Sequence, residues 1–174
     1  DILFNGNREF GVYLQMPIWD SNKEEAINEW FDILVETKVN IDYDSVYLMD
    51  SEAQRRVFFE ARHSMPTKAV EKIQQMETIS IITDAIVPIN HFAEFLKFSH
   101  SLLEKSKMEY LLFGHLGDCH LHFHVLPEKS ELKNAKRIYS KIIQKSSELG
   151  GVYSAEHGTG KRKRQDFIEC YGKL

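Results

Sequence analysis

Four of the chain's eight histidines fall in one short stretch, Gly114-His115-Leu116-Gly117-Asp118-Cys119-His120-Leu121-His122-Phe123-His124. A fifth, His157, follows in Ser154-Ala155-Glu156-His157-Gly158-Thr159-Gly160. Side chains alternate between the two faces of a strand. A strand here therefore puts His120, His122 and His124 on one face and Leu121, Phe123 and Val125 on the other. Gly117-Asp118 reads as a turn between the apolar Tyr110 to Phe113 and the alternating Leu121 to Leu126, which predicts a β-hairpin. An even-numbered turn places His115 on the face of His122; an odd, bulged turn does not. Neutral imidazoles gathered on one face suit a borderline metal ion such as zinc, and a carboxylate is a usual third ligand in an open site. Glu156 is the candidate carboxylate. The competing reading is a plain polar face of a sheet. Four histidines in this pattern, followed by a Glu-His pair among glycines, favour a metal or catalytic site.

The elements that must hold these residues follow from periodicity and punctuation. Arg8 to Trp19 alternates as a strand. Glu24 to Thr37 carries Ala26, Ile27, Trp30, Ile33 and Leu34 at helical spacing, after capping residues Asp20-Ser21-Asn22. Ile41 to Leu48 predicts a turn and short strand. Ser51 to His63 predicts a second helix that Pro66 interrupts or ends. Glu77 to Val87 contains a strand, Thr78 to Thr83. Asn90 to Lys105 predicts a third helix, and Glu131 to Leu149 a fourth, stopped by Gly150-Gly151. Gly151 to Ala155 predicts a last strand, and a loop from Gly158 leads to a short helix ending near Tyr171. Helices and strands alternate, yet at least one strand pair is a hairpin. The expected class is α+β: an antiparallel sheet with helices packed on one face, ferredoxin-like with additions.

Composition narrows the function. The 174 residues suit one domain, 1–174, or a fragment of a larger protein, since the chain opens at Asp1 without Met. The formal net charge of −4 offers no general attraction to nucleic acid or membrane. Cys119 and Cys170 are the only cysteines, which gives no disulfide framework and fits a reducing compartment. No apolar run approaches the ~20 residues of a membrane span. The expected location is cytoplasmic, free or peripheral to a membrane. Gly158-Thr159-Gly160-Lys161 is not a phosphate loop: Ala155 stands at the first glycine and Arg162 at the magnesium-binding hydroxyl. The basic run Lys161 to Arg164 reads as a solvated helix start, or else as a local anion site. Arg62 by pattern alone is a helical arginine that snorkels or pairs with a carboxylate.

Together these pieces resemble the C-terminal, substrate-side domain of FAD-linked oxidases of the vanillyl-alcohol-oxidase type, the group of D-lactate dehydrogenases, glycolate oxidase subunits and D-2-hydroxyglutarate dehydrogenase. The resemblance lies in Ala61-Arg62-His63, Thr83-Asp84-Ala85-Ile86-Val87-Pro88, Gly114 to Asp118 with His122, and Glu156-His157-Gly158-Thr159-Gly160. It implies roles for single residues: His115, His122 and Glu156 as ligands of zinc or manganese, His157 as catalytic base, and Arg62 as the clamp on the substrate carboxylate. It also implies FAD, bound mainly by a preceding domain of the same protein, and an electron acceptor. Cys119-His120 departs from the Gly-Asn usual in the family, which bears on the turn and makes His120 a rival ligand, but the implied metal set is complete without them and a fourth protein ligand would close the site, so neither is expected to be an obligatory ligand. Relatives that bind dicarboxylates carry Asn where His124 stands, and a Lys ahead of the residue matching Asp84. His124 is thus a second substrate-binding candidate, and a short D-2-hydroxy acid such as D-lactate is the expected substrate. The alternative is a metal-binding or interaction module of the same descent that has lost catalysis. A free-standing zinc hydrolase is a third reading.

Overall fold

The computed structural model describes residues 11–19, 21–37, 44 and 46–172. The chain divides into two compact units, Asp1–His63 and Ser64–Leu174. In the first, α1 spans Lys23–Glu36. Residues 11–19 form no strand, and Val12 and Leu14 are exposed. Alternation makes a strand only where a partner supplies the hydrogen bonds. The remainder of that expected strand, Arg8 to Phe10, lies outside the described residues, as does half of Ile41 to Leu48; residues 46–48 form no strand. Tyr13 instead stacks on Phe58, ring centroids 4.7 Å apart.

Helix α2 is Glu52–Gln75, and the two units divide within it. Its start is a capping box: the Gln54 amide donates to Ser51 Oγ at 3.2 Å, and the Ser51 amide donates back to Gln54 Oε1 at 3.2 Å. Pro66 neither ends nor interrupts it, contrary to expectation. Pro66 lacks the N–H that would bond the Arg62 carbonyl. Downstream, Ala69 and Ile73 are buried against Leu111 and Leu126, and that packing holds the rest of the helix.

The second unit is an antiparallel sheet of three strands in the order β1-β3-β2, with β1 at Ile81–Ile82, β2 at Tyr110–His115 and β3 at His120–Val125. A ferredoxin-like sheet would need a fourth strand. Val152 and Ser154 supply only isolated bridges, to Ile86 and Asp84. The strands expected at Thr78 to Thr83 and Gly151 to Ala155 are accordingly shorter than periodicity suggested. Helices α3 (Ile89–Ser106) and α4 (Leu132–Glu148) close within a residue or two of expectation. Gly150, at φ 76°, ends α4 in a left-handed turn that glycine adopts without strain. Helix α5 is Arg164–Tyr171.

The core explains why the histidines face one way. Phe123 and Val125 of β3 join Phe95 and Leu103 of α3 and Ala135, Ile138, Ile142 and Ile143 of α4 in one buried cluster. Truncating a buried ring such as Phe123 typically costs ~3–5 kcal/mol, so this face of β3 is fixed. The even-numbered residues must then take the other face. Leu111 and Leu126 also lie on that side by parity, so the second half of α2 covers part of it. The helices are therefore not confined to one face of the sheet.

Candidate metal and substrate site

Strand β3 lies in the middle of the sheet, and all six of its residues are buried. Pairing runs Leu111↔His124, Phe113↔His122 and His115↔His120. Directly opposed residues share a face, so the turn is even and His115 joins His120, His122 and His124. Cys119 occupies the turn's left-handed position, φ 55°, where glycine is preferred. The turn still closes, with the Cys119 amide bonded to the Leu116 carbonyl at 3.1 Å. Losing glycine here has not broken the register.

Two backbone groups from the end of β1 lock the middle histidine. Thr83 donates its amide to the Phe123 carbonyl at 3.1 Å. Its own carbonyl accepts from His122 Nδ1 at 3.0 Å. With its proton on Nδ1, a neutral His122 presents a lone pair at Nε2. Yet Nε2 lies 2.9 Å from Glu156 Oε1, which is also an acceptor. Two acceptors in contact call for a cation or a second ring proton between them. An imidazole whose N–H is held by a backbone carbonyl, leaving the other nitrogen free, is the usual arrangement of a metal-binding histidine.

Glu156 is the hub. Its Oε1 also lies 3.4 Å from His157 Nε2, and its Oε2 lies 3.8 Å from His115 Nε2. Burial alone would raise its carboxyl pKa. The hydrogen bond from His122 and the charges of His122, His120 and His115 outweigh that and lower it. Asp84, His122, Glu156 and His157 each bring one ligand atom within 4.8 Å of the others. That compact set includes His157 and Asp84, and leaves out His115, which is about half exposed at the turn. Asp84 is a poor ligand, because it is fully buried and both oxygens are already occupied. The donors available to an ion are therefore His122 and Glu156, flanked by His115 on one side and His157 on the other. Imidazoles around one carboxylate are a donor set of the kind that holds a borderline divalent ion.

His120 does not compete for that position. Its Nε2 faces Asp84 Oδ1 at 3.0 Å, and its ring packs edge-on against His122. His124 is buried, with neither ring nitrogen hydrogen-bonded. Burial first, and then the charge of His122, lowers its pKa and favours the neutral ring. Arg62 is exposed on α2 and belongs to the first unit.

Sequence reasoning gave no role to Thr83, Asp84, Ser154 or Lys163. Asp84 accepts from Ser154 Oγ at 2.6 Å, Lys163 Nζ at 2.9 Å, and the amides of Glu156 and His157 at 3.3 and 2.9 Å. Burial alone would raise its pKa, but these four donors hold it well below the usual carboxylate range. The available signal was two polar residues, Thr83-Asp84, closing an apolar strand.

Residues 18–173 match the family model described as FAD linked oxidases, C-terminal domain. The chain belongs to that family. It is 29% identical over 170 residues to a D-lactate dehydrogenase of Anaerostipes hadrus, covering 95% of this chain and 35% of that protein. It is 30% identical over 125 residues to glycolate oxidase subunit GlcD of Bacillus subtilis, covering 70% of this chain and 26% of that one. A D-2-hydroxyglutarate dehydrogenase of Haemophilus influenzae is 29% identical over 87 residues, 48% of this chain and 8% of that protein. The chain thus spans about a third or less of the length of these relatives. No helix among the described residues is long and apolar enough to cross a membrane.

Proposed function

We propose that this domain binds a D-2-hydroxy acid, with D-lactate the favoured case, and a divalent metal for an FAD-dependent dehydrogenase that yields the 2-oxo acid. The observation that carries the reading is Glu156 at the centre of three imidazoles, within a family whose named relatives act on such acids. Zinc or manganese at His122, Glu156 and His115 would supply Lewis-acid polarisation of substrate oxygens, and FAD, held mainly by another domain of the same protein, would accept the hydride from C2.

The chain's own residues do the rest. His157 stands beside the hub with Nδ1 3.8 Å from Asp84 Oδ1. The buried carboxylate favours a ring proton on that side, which leaves Nε2 free to take the C2 hydroxyl proton. Arg62 fixes the substrate carboxylate through a planar, two-pronged contact. His124, the second substrate-binding candidate, stands where dicarboxylate-binding relatives carry Asn, and no Lys stands ahead of Asp84. That supports a short monocarboxylate over a dicarboxylate.

The test uses the full-length, flavin-loaded protein mixed rapidly with D-lactate and, separately, D-2-hydroxyglutarate. Flavin bleaching by D-lactate, faster than by the dicarboxylate, is the expected result. Failure of any D-2-hydroxy acid to reduce the flavin would overturn the reading in favour of a module that has lost catalysis. The departure that motivated that alternative, Cys119-His120, leaves the turn closed and His120 turned toward Asp84, so the structure gives it no further support.

A further inference from the structure

We propose that Asp84 and Lys163, joined by Ser154 and His120, form a buried positioning cluster that sets the Glu156–His157 backbone against His122. The metal reading above supplies one of its two tests; the other stands without it.

The loop carrying Glu156 and His157 has little regular structure of its own. It follows only the isolated bridge at Ser154 and precedes Gly158, at φ 69°. A flexible loop cannot by itself keep a carboxylate at ligand distance from a residue on a sheet. Asp84 supplies the restraint. Its backbone carbonyl accepts the Ala155 amide at 2.8 Å, and its side chain accepts the next two amides in sequence. Three consecutive N–H groups of the loop therefore end on one residue. That residue follows Thr83, whose carbonyl orients His122. One short segment thus fixes both His122 and Glu156.

A buried carboxylate needs a countercharge. Lys163 provides it from beyond the loop, with its side chain only 15% exposed. Its Nζ also donates to Ser154 Oγ at 2.8 Å, which turns the serine hydroxyl proton toward Asp84. Lys163 is the one member of the basic run Lys161 to Arg164 that leaves solvent; Lys161, Arg162 and Arg164 are exposed. Lys163 alone among the four is thus turned inward, onto Asp84. His120 closes the cluster on the strand side through Asp84 Oδ1. The oxygens of Asp84 are already taken by these donors, so Asp84 and Lys163 act through Glu156 and His157.

Two readouts on the full-length protein test this. The first is hydrogen exchange by mass spectrometry, metal-free, over peptides covering 154–158. Lys163→Met is expected to speed exchange there at least about tenfold, with α3 and α4 peptides unchanged. The second is zinc affinity by chelator competition, expected to fall by about ten- to a hundredfold, the usual effect of losing an outer-sphere partner. Lys163→Arg should recover a large part of both, and Arg162→Met should change neither. Unchanged loop exchange in Lys163→Met, or an equal rise in α3 and α4, would overturn the proposal by making Lys163 idle or merely structural. If the wild-type protein binds no zinc, the metal reading fails and the exchange result alone decides this one.

Discussion

Replacing Glu156 with Gln separates a metal ligand from a structural hydrogen bond. The side chain is 44% exposed, so its contact with His122 is worth at most about 1 kcal/mol in the metal-free chain. Gln can also donate to His122 Nε2, which relieves the contact between two acceptors. The variant should therefore fold with a melting temperature close to the parent's. Metal binding should differ sharply. Outer-sphere changes cost up to about a hundredfold in affinity, and loss of the hub carboxylate should cost at least that. At zinc one hundred times the parent's dissociation constant, linkage stabilises the parent by about 2.7 kcal/mol. The same zinc stabilises a variant with hundredfold weaker binding by only about 0.4 kcal/mol. For a chain of this size that is a melting shift of roughly 5–11 °C against 1–2 °C. Thermal melts with and without zinc measure it directly. Equal shifts in the two proteins would show that Glu156 is not a ligand, and no shift in the parent would remove the metal site altogether.

Other expectations follow from the same geometry. In the full-length, flavin-loaded protein, His157→Ala should slow flavin reduction with little change in substrate affinity, whereas Arg62→Ala should mainly raise KM, by about ten- to a hundredfold for a lost charged, bidentate contact; rapid mixing with D-lactate separates the two, and a wild-type reduction rate in His157→Ala would refute the assigned base. Gly114→Ala should cost at least about 2 kcal/mol, because φ is +149° and the new Cβ would sit 2.4 Å from the His120 carbonyl oxygen; urea unfolding measures it, and a loss under about 0.5 kcal/mol would mean that β2 and β3 do not pack as described. Asp166 accepts from Tyr139 Oη at 2.7 Å, yet burial, the largest influence, leaves its pKa raised. A carboxyl with a raised folded pKa adds stability below its unfolded value, near 3.9, and loses it as pH rises through the folded value. Asp166→Asn keeps an acceptor for Tyr139 and should melt higher than the parent at pH 7, the gain narrowing as pH falls through the raised folded value and gone below about pH 3.9; a lower melting point at pH 7 would refute the assignment.

What could be read from the sequence divides along a physical line. Helices α1, α3 and α4 stand within a residue or two of their periodic patterns, because a helix completes its backbone bonds internally and needs only an apolar stripe to dock. The hairpin was legible as well, but its register was not: an even and a bulged turn stayed open until the pairing of His115 with His120 showed which side chains share a face. The strands expected at Thr78 to Thr83 and Gly151 to Ala155 shrank to a two-residue strand and isolated bridges, because their hydrogen bonds depend on partners far along the chain. Helix α2 outlasted Pro66 because its far half is held by Leu111 and Leu126, contacts that no local pattern announces.

The same line runs through the site. His115, His122, Glu156 and His157 are donors of recognisable chemistry in two compact stretches, so spacing alone could nominate them. Asp84 and Lys163 could not be nominated that way. A lysine in a run of four basic residues and an aspartate after a threonine are ordinary alone, and they become informative only as a buried pair. Burial of Asp84 without Lys163 would cost several kcal/mol, and the pair is tolerable only because the loop amides and Ser154 complete it. A charge of that cost, placed where three successive loop amides end, is explained better by the precision it gives Glu156 than by stability. Apolar packing would stabilise this position as well, but it would leave the amides of Glu156 and His157 without a side-chain acceptor.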